Sequence, residues 1–207
     1  MITMNEQASI RIELGKIIYV DPLHLKEELH DADIILITHS HWDHLSIEDI
    51  QKCKKEDTVI VTVGDTYEKL SPYFSKEHLI LTKPNETLNV LGIPVETVPA
   101  YNLNKEYHLK EYQWVGYILT LENQKYYIMG DTDALDFMKD ISCDYLFIPI
   151  GGKFTMDVEE AVSLAKEIHP KVVIPIHYGT IVGESSLGEE FLNQIPPDIE
   201  CQLLLKF

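Results

Sequence analysis

The sequence predicts a mixed α/β (α+β) fold, a four-layer αββα sandwich in which two β-sheets pack face to face between outer helices. Each half of the chain contains short apolar segments typical of strands, and amphipathic segments typical of helices lie between them. No proline- or glycine-rich linker divides the chain, so residues 1–207 are expected to form one domain. Two sheets covered by helices on both sides bury all of these apolar faces.

The first half is expected to consist mainly of strands. Residues 9–13 alternate in polarity, and residues 16–20 return as the second strand of a hairpin about Gly15. Ser46, with Asp49 three residues later, predicts the start of a helix over residues 47–53. The other expected elements are a buried strand at 32–37, a short helix or turn at 24–30, strands at 58–63, 79–81, 86–90 and 93–98, and a helix at 64–70.

The second half repeats this theme. Asp157 and Glu160 form a predicted capping box, and the helix that they open ends before Pro170. The other expected elements are a hairpin of strands at 115–121 and 125–129, a helix at about 134–139, strands at 145–150 and 172–176, a helix at 187–194 and a terminal strand at 201–207.

Composition narrows the classes of partner. The formal net charge is −17 and Arg11 is the single arginine, which argues against nucleic acid and favours a small-molecule substrate. The sequence is compatible with a homo-oligomer. It has no apolar run of about 18 residues, so we expect no membrane span. Three scattered cysteines and no signal-like start predict a reducing, cytoplasmic location.

The densest chemical signal is a cluster of three histidines and one aspartate within six residues. It comprises His39, His41, Asp43 and His44. The cluster lies between the predicted strand at 32–37 and the helix at 47–53. Imidazole and carboxylate together suit zinc, iron, manganese or nickel. Four ligands on one short loop favour two neighbouring ions, although a polar loop rich in histidine is the alternative.

Two further polar residues follow predicted strands. Asp131 lies after the strand at 125–129, and His177 lies after the strand at 172–176. A turn-forming aspartate and an ordinary histidine at a strand end are the alternatives. Because strand ends can meet at one rim of the sheets, both residues are candidates for the same site.

The His-x-His-x-Asp-His pattern resembles the signature of the metallo-β-lactamase superfamily. From about residue 9 to 207 the chain is similar to a compact branch that includes L-ascorbate-6-phosphate lactonases and uncharacterised metal-dependent hydrolases. The supporting segments are residues 98–102, 114–117, 130–133, 149–152 and 175–179. The resemblance implies an αββα fold of the metallo-β-lactamase type.

The resemblance also implies a ligand set for one or two divalent ions, with zinc preferred and manganese, iron or nickel as alternatives. In this set His39 and His41 hold the first ion, and Asp131 bridges both. The remaining ligands, Asp43, His44 and His177, hold the second ion. The chain departs from the family pattern at Asn102, where many members have a third histidine. His108 is then a replacement ligand, a substrate contact or a bystander.

The implied activity is hydrolysis of a small ester, lactone or phosphodiester by a metal-activated water. Asp43 is the candidate to orient that water and accept its proton, and Tyr101 or His108 could assist the oxyanion. Residues 151–152 are either a wall of the site, with N–H groups that face an anion, or a plain turn. A di-iron redox enzyme and a non-catalytic metal or ligand sensor are the alternative functions.

Overall fold

A six-stranded and a seven-stranded sheet form the centre of the computed structural model, which describes residues 1–207. The first sheet follows chain order: β1 (Ile2–Met4), β2 (Ile10–Leu14), β3 (Lys16–Val20), β4 (Ala32–Leu36), β5 (Lys54–Thr62) and β6 (Leu79–Leu81). The second sheet has the order β13-β12-β11-β10-β9-β8-β7. Its strands are β7 (Thr87–Val90), β8 (Ile93–Pro99), β9 (Val115–Leu121), β10 (Gln124–Ile128), β11 (Tyr145–Pro149), β12 (Val172–Ile176) and β13 (Glu200–Cys201).

Four α-helices accompany the sheets: α1 (Ile47–Cys53), α2 (Gly64–Leu70), α3 (Val158–Ile168) and α4 (Leu187–Leu192). The predicted caps are present. Ser46 Oγ accepts a hydrogen bond from Asp49 N at 3.2 Å, and Asp157 and Glu160 form the reciprocal capping box of α3. No helix is long and apolar enough to cross a membrane.

Three buried apolar layers give the sandwich its four-layer form. The central layer joins the two sheets, with Ile12 and Leu36 from the first and Tyr117 and Phe147 from the second. A second layer lies between the second sheet and α3, and a third lies between the first sheet and the helices α1 and α2. The αββα prediction is therefore confirmed.

Several predicted elements differ from the structure. Of the short helix or turn expected at residues 24–30, the structure has bends and no helix, and His24 and His30 at its two ends have left-handed φ values of 49° and 46°. The helix expected near 134–139 is a 3-10 helix over Asp136–Asp140. The predicted terminal strand is limited to Glu200–Cys201, since the following residues pack against the core without continuing the ladder. β1 was not predicted.

The strand register brings several strand ends to one edge. In the first sheet β3 and β4 are parallel, with Val20 opposite Leu36. In the second sheet β10, β11 and β12 are also parallel neighbours. Because parallel neighbours end on the same side of a sheet, the residues that follow them lie close together.

Candidate metal centre

Polar side chains follow four strands at this edge. The loop after β4 carries the histidine-rich motif, Asp131 follows β10, His177 follows β12 and Asp21 follows β3. Asp21 and His177 have positive φ values of 43° and 58°. Such strained conformations in non-glycine residues cost energy and are concentrated at functional sites. The backbone is therefore bent sharply at the positions where it presents these side chains.

Gly130 shows why the approach to Asp131 needs glycine. Its φ is +66°, and a Cβ atom there would lie 3.0 Å from the carbonyl oxygen of Val115 and 3.3 Å from Thr38 Cβ. The chain therefore passes close to the start of the motif loop just before Asp131. This close approach carries Asp131 to the histidines.

Three histidines form what we call the first cluster: His39, His41 and His108. Their nearest ring nitrogens lie within 4.8 Å of one another, and His39 Nε2 is 3.1 Å from His41 Nδ1. Trp114 packs against this cluster, with ring centroids 4.7 Å from His39 and 4.8 Å from His41. The structure thus places His108, and not Asn102, beside the two motif histidines.

The second cluster consists of Asp43, His44 and His177. Asp43 Oδ2 lies 3.7 Å from His44 Nε2 and 3.4 Å from His177 Nε2. Asp131 lies between the two clusters. Its Oδ1 is 3.3 Å from His44 Nε2, while its Oδ2 is 3.2 Å from His108 Nε2 and 3.0 Å from His177 Nε2. All seven side chains therefore converge.

Asp21 orients His44 from behind. Its carboxylate accepts hydrogen bonds from Thr38 N at 2.8 Å and Thr38 Oγ1 at 2.6 Å, and it lies 2.7 Å from His44 Nδ1. The other ring nitrogen of His44 is thereby turned toward Asp131. Asp21 was not predicted as a site residue. Its position directly after β3 is the same strand-end signal that identified Asp131 and His177.

Asn102 holds His108 in place. Its Oδ1 accepts a hydrogen bond from His108 N at 3.1 Å and lies 3.0 Å from His108 Nδ1. Its Nδ2 donates to Asp133 Oδ1 at 3.0 Å and to the carbonyl of Phe154 at 2.9 Å. Lys105 Nζ also contacts Asp133 Oδ1, at 2.7 Å. A chain of polar contacts therefore fixes the loop that carries His108.

The two clusters differ in electrostatics. Burial lowers the pKa of His39 well below its usual range, and the neighbouring His44 lowers it further. Burial also lowers the pKa of His41. Burial opposes protonation of His44 too, but Asp131 and Asp21 outweigh it and raise the His44 pKa well above its usual range. Burial thus favours the neutral form of His39 and His41 in the first cluster, whereas His44 in the second cluster faces two carboxylates that favour its charged form.

Two carboxylates near the second cluster stay ionised. Burial would raise the pKa of Asp131, but His177 and His44 together lower it well below its usual range. Burial likewise opposes ionisation of Asp43, and the nearby His177 imidazole contributes most to lowering its pKa to about 2. Both side chains are therefore negative at neutral pH.

Buried polar atoms without hydrogen-bond partners test whether a metal ion fits this arrangement. Four of them are at the centre of the site: His44 Nε2, His108 Nε2, Asp131 Oδ1 and His177 Nε2. A buried polar atom without a partner costs about 1–3 kcal/mol, so native proteins seldom leave several together. Each of these atoms is a good ligand for a transition-metal ion. The donor set therefore fits a divalent metal centre.

A cavity of about 640 Å³ opens beside the two clusters. The site residues His41, Asp43, His108 and Asp131 line it, together with Trp42, Tyr107, Lys153 and Phe154 among others. Tyr101 does not line it. The Tyr101 ring packs against the layer under α3, with Lys110 Nζ 5.2 Å from its centroid.

Gly151 also lines the cavity, as the wall interpretation expected. The N–H groups of Gly152 and Lys153 do not face an anion, because they bond to the carbonyls of Met156 at 2.9 Å and Gly151 at 3.0 Å. His24 and His30 lie away from the site with exposed side chains, as predicted.

The chain matches known proteins over most of its length. Residues 1–177 match the family model described as a β-lactamase superfamily domain. A UPF0173 metal-dependent hydrolase from Lawsonia intracellularis is 33% identical over 174 residues, which cover 81% of this chain and 74% of the relative. A UPF0173 metal-dependent hydrolase from Pyrococcus abyssi is 29% identical over 197 residues, covering 89% and 87%.

Solved structures share the fold. A crystal structure from Parabacteroides distasonis has a TM-score of 0.84 and 31% identity, and the match covers 99% of this chain and 93% of that one. Igni18, a metallo hydrolase from Ignicoccus hospitalis, has a TM-score of 0.76 and 21% identity, with coverage of 98% and 93%. At 21% identity, the similarity to Igni18 shows a shared fold and no more.

Proposed function

The chain belongs to the β-lactamase superfamily and to its UPF0173 metal-dependent hydrolases, and from this premise we propose that it hydrolyses a small ester, lactone or phosphodiester at the two clusters. The observation that carries the proposal is the set of four buried ligand atoms without hydrogen-bond partners that lie around Asp131, beside a cavity. A cavity of this size suits a small molecule.

We assign the metal ligands by their positions. The first cluster would hold one ion through His39, His41 and His108, and Asp131 would bridge to a second ion. The second ion would be held by Asp43, His44 and His177. Neutral imidazoles with carboxylates suit zinc best, while manganese, iron and nickel accept the same donors. His108 is thus assigned to the metal and not to the oxyanion, and Tyr101 is given no catalytic part.

A divalent ion at such a site supplies hydroxide at neutral pH by lowering the pKa of water to about 7, and it acts as a Lewis acid. The side chains of the protein hold the ion and orient the attacking water. Asp43 stays a carboxylate, and Gln7 Nε2 donates to its Oδ2 at 3.4 Å. Thr180 Oγ1 in turn donates to Gln7 Oε1 at 3.3 Å. Asp43 is therefore positioned to orient the attacking water and to accept its proton.

The charge and the cysteines are consistent with this proposal. The net charge of −17 disfavours nucleic acid, and the single arginine, Arg11, is engaged by Asp31 at 2.6 Å and Glu13 at 2.8 Å. The three cysteines form no disulfide, which suits a reducing compartment such as the cytoplasm.

The test combines metal analysis with hydrolysis of dihydrocoumarin and bis(4-nitrophenyl) phosphate. Wild-type protein should hold about one to two ions per chain and hydrolyse at least one of these substrates. His41→Ala should lower the metal content and abolish hydrolysis, whereas His30→Ala, which alters an exposed histidine outside the site, should change neither. Full activity in metal-free protein would contradict the proposal.

A further inference from the structure

We infer that the cavity selects a small molecule with both an apolar group of aromatic size and an anionic group, a carboxylate or a phosphate, and that Lys153 recognises the anion. The inference rests on the proposed function for the reaction itself. It concerns the outer walls of the cavity, which play no part in the metal assignment.

Lys153 is a cation without a partner on the cavity wall. Its side chain is exposed, and its Nζ forms no ion pair and no hydrogen bond with the protein. Its nearest aromatic neighbour is the Phe154 ring, whose centroid is 4.9 Å from Nζ. By contrast, Lys105 in the neighbouring loop is bound to Asp133. The ammonium of Lys153 is thus free to pair with a ligand.

The loop that carries Lys153 is tightly placed. A Cβ atom on Gly151 would lie 2.5 Å from the carbonyl oxygen of His177, so the loop packs directly on the backbone of a proposed metal ligand. Gly152 has a φ of +80°, which turns the chain just before Lys153. This packing ties the position of Lys153 to the metal centre.

The charge around Lys153 makes its position unusual. The chain has a net charge of −17, and Lys153 is the one lysine or arginine that lines the cavity. The acidic side chains of the cavity, Asp43 and Asp131, belong to the proposed metal site. Lys153 and the metal ions would therefore attract an anionic group on the substrate, whereas the acidic surface elsewhere would repel it.

The remaining walls are apolar. Trp42 is 63% exposed and Tyr107 is 43% exposed, although both are large and mostly apolar. Tyr107 packs edge-to-face on Phe154 at 4.5 Å, and Ile181 and Val182 also line the cavity. Exposed aromatic side chains at the mouth of a cavity are typical of ligand contacts. These walls provide the surface for the apolar group.

The kinetic test uses two aromatic esters that differ in one charge: 4-acetoxybenzoate, which is an anion whose para carboxylate cannot reach the ester, and its neutral methyl ester. Lys153→Met should lower kcat/KM for the anionic ester by about tenfold through a higher KM. The neutral ester should change by less than about twofold. Lys153→Arg should retain the preference for the anion, and Lys166→Met, an exposed lysine on α3, should leave both substrates unchanged.

A binding test separates this inference from the proposed function. Tryptophan fluorescence titrations of the metal-loaded protein would compare 3-phenylpropionate with 3-phenylpropionamide and with acetate. Wild type should bind the aromatic anion most tightly, and Lys153→Met should lose the preference over the amide. If none of the two esters, dihydrocoumarin and bis(4-nitrophenyl) phosphate is hydrolysed but this pattern is found, the proposed function fails and the inference stands. An unchanged preference in Lys153→Met, or acetate binding as tight as 3-phenylpropionate binding, would overturn it.

Discussion

The two loops that build the metal centre hold their histidines by different means. The motif loop, residues 38–44, lies just after β4. It is fixed by its own backbone, with Leu45 N donating to His41 O at 2.8 Å, and by Asp21 at the end of the neighbouring strand β3. The second loop, residues 100–114, spans the distance between β8 and β9 and carries His108 near its middle. Its histidine is held by the side chains of Asn102, Asp133 and Lys105.

The difference shows two ways in which a chain can position a ligand. A histidine beside a strand end takes its position from the sheet, and the residue that ends the neighbouring strand can hold it, as Asp21 holds His44. A histidine in the middle of a long loop must be fixed by side-chain contacts within the loop and from the loop to other segments, as Asn102 and Lys105 contact Asp133. The second loop should therefore be the more easily disturbed by changes at residues that touch no metal.

The largest effect is expected where both loops meet, at Asp131. Asp131→Asn keeps the shape of the side chain but removes the negative charge that faces His44, His108 and His177. Two cations without this shared carboxylate would repel each other. We predict loss of at least one metal ion, with far-ultraviolet circular dichroism unchanged. Asp136→Asn, in an exposed position, is the control. Unchanged metal content and activity would remove Asp131 from the ligand set.

A smaller effect is expected from the tether of the second loop. Asn102→Ala leaves every proposed ligand in place but frees the His108 ring, so one ion should be released to a chelator about 10–100-fold more readily. His108→Ala should release the same ion more readily still. Asn104→Ala, an exposed neighbour in the same loop, should behave as wild type.

Asn102→His provides a sharper form of this experiment. If Asn102 stood at a ligand position, a histidine there would restore the ion lost in His108→Ala. The Asn102 amide instead lies beside His108 Nδ1, whereas His108 Nε2 faces Asp131. We therefore expect no rescue in the double variant. Identical metal release in wild type, His108→Ala and Asn102→Ala would show that neither side chain supports the ion.

The same difference explains what could be predicted from the sequence. The fold and the motif loop could be predicted from local sequence patterns. Apolar runs predict β4 and β12, and the site residues are the polar residues that follow these runs. The placement of His108 depends on Asn102, which contacts Asp133 from 31 positions away, and no local pattern reports such a contact. Asp21 could have been found by the strand-end rule, but its turn-like Asp-Pro context suggested only the end of a strand.

The smallest effect is expected at the boundary of the motif loop, where Asp49 anchors the start of α1. Its carboxylate accepts hydrogen bonds from the backbone N–H groups of His24 at 2.9 Å and Leu25 at 2.8 Å, and from Ser46 Oγ at 2.6 Å. Burial would raise the pKa of Asp49, but these bonds, with that of Ser46 first, lower it below its usual range. A lowered pKa in the folded state adds stability above the unfolded value of about 3.9, and this stability is lost as the pH falls through the folded pKa.

Asp49→Asn should therefore lower the free energy of unfolding by about 1–2 kcal/mol at pH 7, because an amide replaces an ionised acceptor. The difference from wild type should begin to shrink as the pH falls below about 4, where the unfolded chain takes up a proton, and it should be lost below the folded pKa of Asp49. Urea unfolding at pH 7, 5 and 3.5 measures this difference. Glu48→Gln, on the same helical turn but exposed, should cost little at any pH because its ion pair with Lys52 is solvated. A constant difference between wild type and Asp49→Asn across this range would show that Asp49 acts through packing, and that the motif loop does not depend on its charge.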